Sequence, residues 1–210
     1  MSKDTFGYAI FTIQTGHRPI SAFAEVFEQL ANSLVSQFDA VEKESGSTKR
    51  QGLHIALSDT AILMTYSLVE GFFFEEYKFY FEKEPPRGEK LEESIRSLLS
   101  HIGSPVDDRM EKGLSQLPVL RAARNAIAHR NGQLKEAEKS EIQKHFGAEM
   151  STRQGYPIAD ILLLFTIIQS ASQLISGFSF AAVDAATAAQ QSVPGDVPAS
   201  AASPLRPGRA

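Results

Sequence analysis

Residues 161–183 read ILLLFTIIQSASQLISGFSFAAV, and no charged side chain falls between Asp160 and Asp184. A helix of that length spans a bilayer. It can equally be the central helix of a soluble bundle, and the two readings give different folds. Thr166, Gln169, Gln173 and four serines interrupt the apolar run, and its flanks lack the basic clusters that anchor a span. Ile158, Ile161, Leu162, Phe165, Ile168, Ser172, Ile175 and Phe178 fall mostly three or four apart, which suits a helix buried on one broad face. The stretch is therefore read as a core helix from about Pro157 to Gln190, with no membrane partner.

The same period governs the chain upstream. Ile20, Phe23, Phe27, Leu30, Leu34, Phe38 and Val41 step by three or four after Pro19, a residue suited to a first helical turn. A Ser- and Gly-rich loop, ESGSTKRQG, follows. The next helix is predicted from near Leu53 to about Glu84, with Leu57, Ala61, Met64, Leu68, Phe72, Glu75 and Phe79 on one face. Aromatic residues crowd its other faces, so it is central, and Pro85–Pro86 stop it. Glu75 and Glu76 are expected to be exposed. Residues 88–103 carry a shorter helix that stops at Gly103. VDDRMEKGLSQL allows one or two helical turns, and a further helix opens at Pro118 and closes at Asn131–Gly132, residues that tolerate a left-handed backbone. KEAEKSEIQKHF adds a small one. Residues 1–18 hold a short alternation of Phe6, Tyr8 and Ile10, which suggests extended structure.

Strand signals are otherwise nearly missing, so the fold class is all-α, a bundle of four to five main helices. The domain boundaries are an N-terminal extension over 1–18, a helical domain over 19–190 and a tail over 191–210. That tail is rich in Pro, Ala and Ser, lacks aromatics, and is expected to be disordered.

Composition narrows the function. The chain has 210 residues, a formal net charge of −4 and no cysteine. Disulfides, thiolate metal sites and a cysteine nucleophile are excluded. With no global positive field, nucleic-acid binding needs a local basic patch. His17, His54, His101 and His145 are scattered without metal-ligand spacing, so neither a metal nor another cofactor is expected. Neither a glycine-rich phosphate loop nor a G-x-S-x-G elbow occurs. The start of the chain lacks a signal-peptide pattern, and a cytoplasmic location is expected.

The local patch is 121-RAARNAIAHRNG-132, with three arginines, two asparagines and one histidine. On a wheel of about 100° per residue, Leu120, Ala123 and Ile127 share the core side. Arg121, Arg124, Asn125, Ala128 and His129 share the other, and Arg130 lies off this arc. Arg124 and His129 stand at its edges, roughly 140° apart. Ala128 leaves room between them, and Asn125 and His129, four apart, are within reach of a hydrogen bond. Histidine exchanges a proton near neutral pH, and arginine offers a planar fork to phosphate oxygens. The set suits phosphoryl transfer without metal, and a symmetric dimer would supply a second histidine. A solvated helix end complementing the helix dipole is the competing reading. Glu70, set in an apolar helix, is the expected carboxylate partner of Arg121 or Arg124.

Arg124-Asn125-Ala126-Ile127-Ala128-His129 resembles the R-X4-6-H signature of the HEPN superfamily, including the polar residue directly after the arginine. Asn131–Gly132 and the helix 66-YSLVEGFFFEEY-77 are similar to their counterparts in such domains. In helical order the resemblance covers roughly residues 20–185 and implies a HEPN-like bundle. It implies Arg124 and His129 as a catalytic pair supported by Asn125; the basic stretch itself adds Arg121 and Arg130 as candidate substrate-binding residues, Arg121 as an aid in binding phosphate. It also implies a homodimer that cleaves RNA by attack of the ribose 2′-OH, in a toxin–antitoxin or phage-defence setting with a possible antitoxin protein. The tyrosine that some members carry two residues after the histidine is replaced here by Asn131. The alternative is a non-catalytic helical module that binds RNA or protein.

Overall fold

The computed structural model describes residues 4–45, 47–147, 150–151 and 157–191. They form an all-α fold of seven helices: α1 (Thr5–Thr15), α2 (Arg18–Ser45), α3 (Ser47–Phe81), α4 (Leu91–His101), α5 (Asp108–Arg130), α6 (Glu136–Phe146) and α7 (Ile161–Gln191). A short antiparallel pair, β1 (Met150–Ser151) and β2 (Ile158–Ala159), lies between α6 and α7. The tail expected from residue 191 falls, beyond Gln191, outside the described residues.

Three long helices, α3, α5 and α7, run through two buried clusters. One joins α2, α6, the first half of α3, the second half of α5 and the first half of α7, around Phe27, Ile62, Leu120, Ala126 and Ile167. The other joins α1, the start of α2, α4 and the opposite halves, around Ile20, Phe73, Leu98, Leu114 and Phe178. This sharing sets α5 antiparallel to both α3 and α7. Glycines let α5 and α7 approach. A Cβ on Gly113 would lie 2.9 Å from Leu174 Cβ and 3.0 Å from the Ser170 carbonyl oxygen, and one on Gly177 would meet Met110. The uncharged stretch of α7 buries Leu163, Leu164, Ile167, Ile168, Leu174, Ile175 and Phe178, as expected of a core helix. Both α3 and α7 are nonetheless long and apolar enough to cross a membrane.

Several sequence expectations are corrected. Residues 5–15 are helical, not extended, because Asp4 caps them by accepting from the Gly7 amide at 2.8 Å. Helix α1 also enters the core, burying Ala9 and Thr12. The loop predicted at 44–52 is mostly helix: α2 continues to Ser45 and α3 starts at Ser47, while Gly46 is outside the described residues. Pro118 lies inside α5, which begins ten residues earlier behind its own cap, Asp107 accepting from the Met110 amide at 2.7 Å. A proline denies one bond to the preceding turn, and the packing of Leu114, Leu117, Val119 and Leu120 around it holds the helix together. The buried face of α3 is also rotated from the predicted one. Leu57, Ala61, Ile62, Tyr66, Val69, Phe73, Glu76 and Tyr77 are buried, while Met64 and Glu75 are exposed. Leu162, placed on the buried face of α7, is exposed.

Backbone ends are satisfied where the chain turns. Asn131 (φ 50°) and Gly132 (φ 79°) adopt the left-handed conformation, and the amides of both donate to the Ala126 carbonyl, closing α5 as predicted. Ala159 in β2 is tied to α3: its amide donates to Ser58 Oγ at 3.0 Å, and its carbonyl bonds His54 Nε2 at 2.9 Å.

Candidate active site

The last two turns of α5 are amphipathic as the wheel requires. Leu120, Ala123 and Ala126 are buried, Arg121, Arg124 and Asn125 are half-buried, and Ala128 and His129 are exposed. The structure thus brings Arg121, Arg124, Asn125 and His129 onto one face of one helix.

The Arg124 guanidinium is oriented from two sides. Its Nη1 donates to Asn125 Oδ1 at 3.0 Å. Its centre lies 5.9 Å from the Tyr66 ring of α3, within cation–π range. Asn125 therefore positions the arginine, and the hydrogen bond proposed between Asn125 and His129 is replaced by this one. Tyr66 is a neighbour of Arg124 that the wheel of α5 alone does not reveal. Burial, and then the negative charge of Glu70, push its phenol up to about 12, so it stays protonated under physiological conditions.

Glu70 is exposed rather than buried, and the carboxylate paired with Arg121 is Glu92 of α4, with Oε1 4.0 Å from Nη2. The other Glu92 oxygen is buried without a hydrogen-bond partner. Glu92 was missed because it follows Leu91 on a helix read only for its apolar stripe. Only its place next to that stripe signals a position close to a neighbouring helix. Glu70 still borders the site: with Tyr66, Phe74, Pro85 and Arg121 it lines a cavity of about 200 Å³.

Arg130 is separate from this group. It points to α6, where its guanidinium meets the Glu138 carboxylate at 2.8 and 3.0 Å. That pair is only about a quarter exposed, and Glu138 also accepts from the Lys135 amide at 2.8 Å. Arg130 thus joins α5 to α6, in line with its position off the polar arc.

The resulting face has one oriented guanidinium, a second, loosely paired one a turn earlier, and an accessible imidazole at the helix end. Among the described residues no group of three His, Asp or Glu side chains is placed to hold a metal ion. Compared with protein-family models, curated proteins and solved structures, the chain shows no match.

Proposed function

We propose that this chain is a metal-independent endoribonuclease of HEPN type, acting as a cytoplasmic homodimer with a HEPN-like bundle as its fold. One observation supports this reading above others. Arg124 is held by Asn125 and Tyr66 on the same helix face that leaves His129 exposed. An anion-binding group is fixed before substrate arrives, and a proton-exchanging group is left accessible beside it.

In the reaction, the ribose 2′-oxygen bonds to the adjacent phosphorus and the bond to the 5′-oxygen breaks. The products are a 2′,3′-cyclic phosphate and a 5′-OH. His129 of one protomer accepts the 2′-OH proton, and the second copy's histidine returns a proton to the leaving oxygen. Arg124 stabilises the charge that builds on the phosphate oxygens. Arg121 is a secondary phosphate contact. The need for a 2′-OH restricts cleavage to RNA. A toxin or phage-defence role, with an antitoxin protein as partner, is the cellular setting this activity suits.

The test is cleavage of RNA by the purified chain in EDTA. His129→Ala and Arg124→Ala should each lower the rate at least about a hundredfold. Because His129 is exposed, its substitution should leave the melting curve unchanged. Full activity in both variants would refute the proposal.

A second reading, a non-catalytic RNA- or protein-binding module, is favoured by one observation: Arg121 and Arg130 already face carboxylates within the chain. It predicts salt-sensitive binding without cleavage products.

A further inference from the structure

Glu76 stands apart from the α5 site. Among the described residues it is the only Asp, Glu, Lys, Arg or His that is buried, at 3% exposure. Its Oε1 accepts from Tyr8 Oη and Thr12 Oγ1 of α1, both at 3.2 Å. Its Oε2 is buried with no hydrogen-bond partner. A carboxylate in such surroundings is costly unless a cation compensates it.

Glu76 lines a groove of about 360 Å³ between α1, α2 and α3. Phe11, Leu68 and Phe72 supply apolar walls, and Thr12 and Thr15 add hydroxyls. One glycine shapes it. A Cβ at Gly16 would sit 2.5 Å from the Phe72 ring, so only glycine lets α1 end so close. A Cβ at Gly71, on the rim, would meet nothing within 4 Å. No basic side chain is among the groove's lining residues. The groove therefore combines an apolar slot with one uncompensated acceptor.

We propose that this groove binds a primary alkylammonium group, with the ammonium on Glu76 and the aliphatic chain along Phe11, Leu68 and Phe72. The donor geometry selects the class. A guanidinium prefers both carboxylate oxygens in a planar fork, but Oε1 is already engaged by α1. The single unpartnered acceptor, itself buried, suits the compact ammonium, whose three donors rotate freely. A divalent metal would find only one further carboxylate in the lining, that of Glu75, which already pairs with Lys78, and no third ligand among the described residues. The ammonium belongs either to a free aliphatic amine or to a lysine side chain of a partner, and the chemistry is the same.

Burial holds the Glu76 carboxyl at about 7, the hydroxyls of Tyr8 and Thr12 opposing the rise and Glu75 adding to it. The groups facing it are Tyr8 from α1 and Glu75 and Tyr80 from α3. Glu75 is exposed and pairs with Lys78 at 3.7 Å. The lining residues from α2 and α7, Pro19, Ile20 and Ile175, do not titrate. A bound cation favours the ionised carboxylate, so binding expels the proton held at neutral pH.

The experiment titrates the full chain with n-butylammonium and, separately, with Nα-acetyl-lysine amide, by calorimetry at pH 6 and pH 8. Saturable binding should be about tenfold tighter at pH 8, because the ionised fraction of Glu76 rises about that much. It should vanish in Glu76→Gln and in Gly71→Leu, whose side chain would fill the groove, and persist in Glu75→Gln. Binding of the free amine alone identifies a small-molecule ligand, and binding of the lysine amide alone identifies a partner's side chain. Either result supports the site. Failure of both probes to saturate at tens of millimolar overturns it, as does equal binding by Glu76→Gln or binding that ignores pH.

Discussion

Replacing Glu76 by glutamine should remove a specific pH dependence from the stability of this protein. The carboxyl is raised from an ordinary value of 4.5 to about 7, chiefly by burial. Below pH 4.5 the folded and unfolded chains both hold the proton. Between pH 4.5 and 7 only the folded chain does, so rising pH favours unfolding. Each pH step of one in that window removes about 1.4 kcal/mol, so about 3 kcal/mol is lost by pH 8. Glutamine keeps the shape and still accepts from Tyr8 and Thr12, yet it never ionises. The stability of wild type minus that of Glu76→Gln should therefore fall by about 3 kcal/mol from pH 4.5 to pH 8 and then level off. Relative to wild type, the melting temperature of the variant should rise by roughly 6–12 °C between pH 4.5 and pH 8, on the usual scaling for a domain of this size. Taking the difference cancels the other carboxylates. The assay is thermal and urea unfolding followed by circular dichroism, at constant ionic strength and without amines in the buffer. A difference that stays flat within about 0.5 kcal/mol across this window would show that Glu76 is not buried uncompensated.

Other outcomes follow from packing and caps. Gly113→Ala should cost about 1–3 kcal/mol, because the new methyl meets the Ser170 carbonyl and Leu174 where α5 and α7 cross. Gly177→Ala should cost less, since it meets only the flexible Met110 side chain. Both are read from unfolding curves. Arg130→Ala should lose about 1 kcal/mol, and a double-mutant cycle with Glu138→Gln should recover a coupling of similar size. Strict additivity would mean that the α5–α6 ion pair contributes nothing. Asn131→Ala should cost about 1 kcal/mol because its left-handed backbone opposes a Cβ branch without a local polar group, while Asn131→Gly should be neutral or stabilising.

Much of the architecture was legible because helical periodicity is local. The helical period of α2, α4 and α7, the Pro85–Pro86 stop and the Asn131–Gly132 close each depend on a few neighbouring residues, although Leu30 and Leu162, both on predicted apolar steps, are exposed. Boundaries that depended on weaker signals moved. Pro118 read as a start, but the helix begins ten residues earlier, capped by Asp107, and packing retains the proline inside. The alternation at Phe6, Tyr8 and Ile10 read as extended, but the cap at Asp4 and burial of Ala9 and Thr12 favour a helix.

The α5 site was legible for a related reason. Arg121, Arg124, Asn125, Ala128 and His129 lie within nine residues, so the helix alone puts them on one face. The partners of these residues come from distant elements. Tyr66 and Glu92 reach α5 from α3 and α4, and neither contact has any spacing in the sequence. Glu70, the carboxylate the apolar context singled out, is exposed, and Glu92 faces Arg121 instead.

By itself, then, the sequence determined that the chain is helical, which residues share the polar face of α5, and that α7 carries an apolar face. These depend on a repeat of 3.6 residues and on side chains close in the chain. Tertiary packing alone decided that Glu76 is buried. Its neighbour Glu75 has the same chemistry, and a rotation of about 100° along α3 separates them. That rotation was set by α1, α5 and α7 closing on the face that holds Val69, Phe73 and Glu76. The aromatic crowding on every side of α3 had left the buried face undetermined until those helices packed against it.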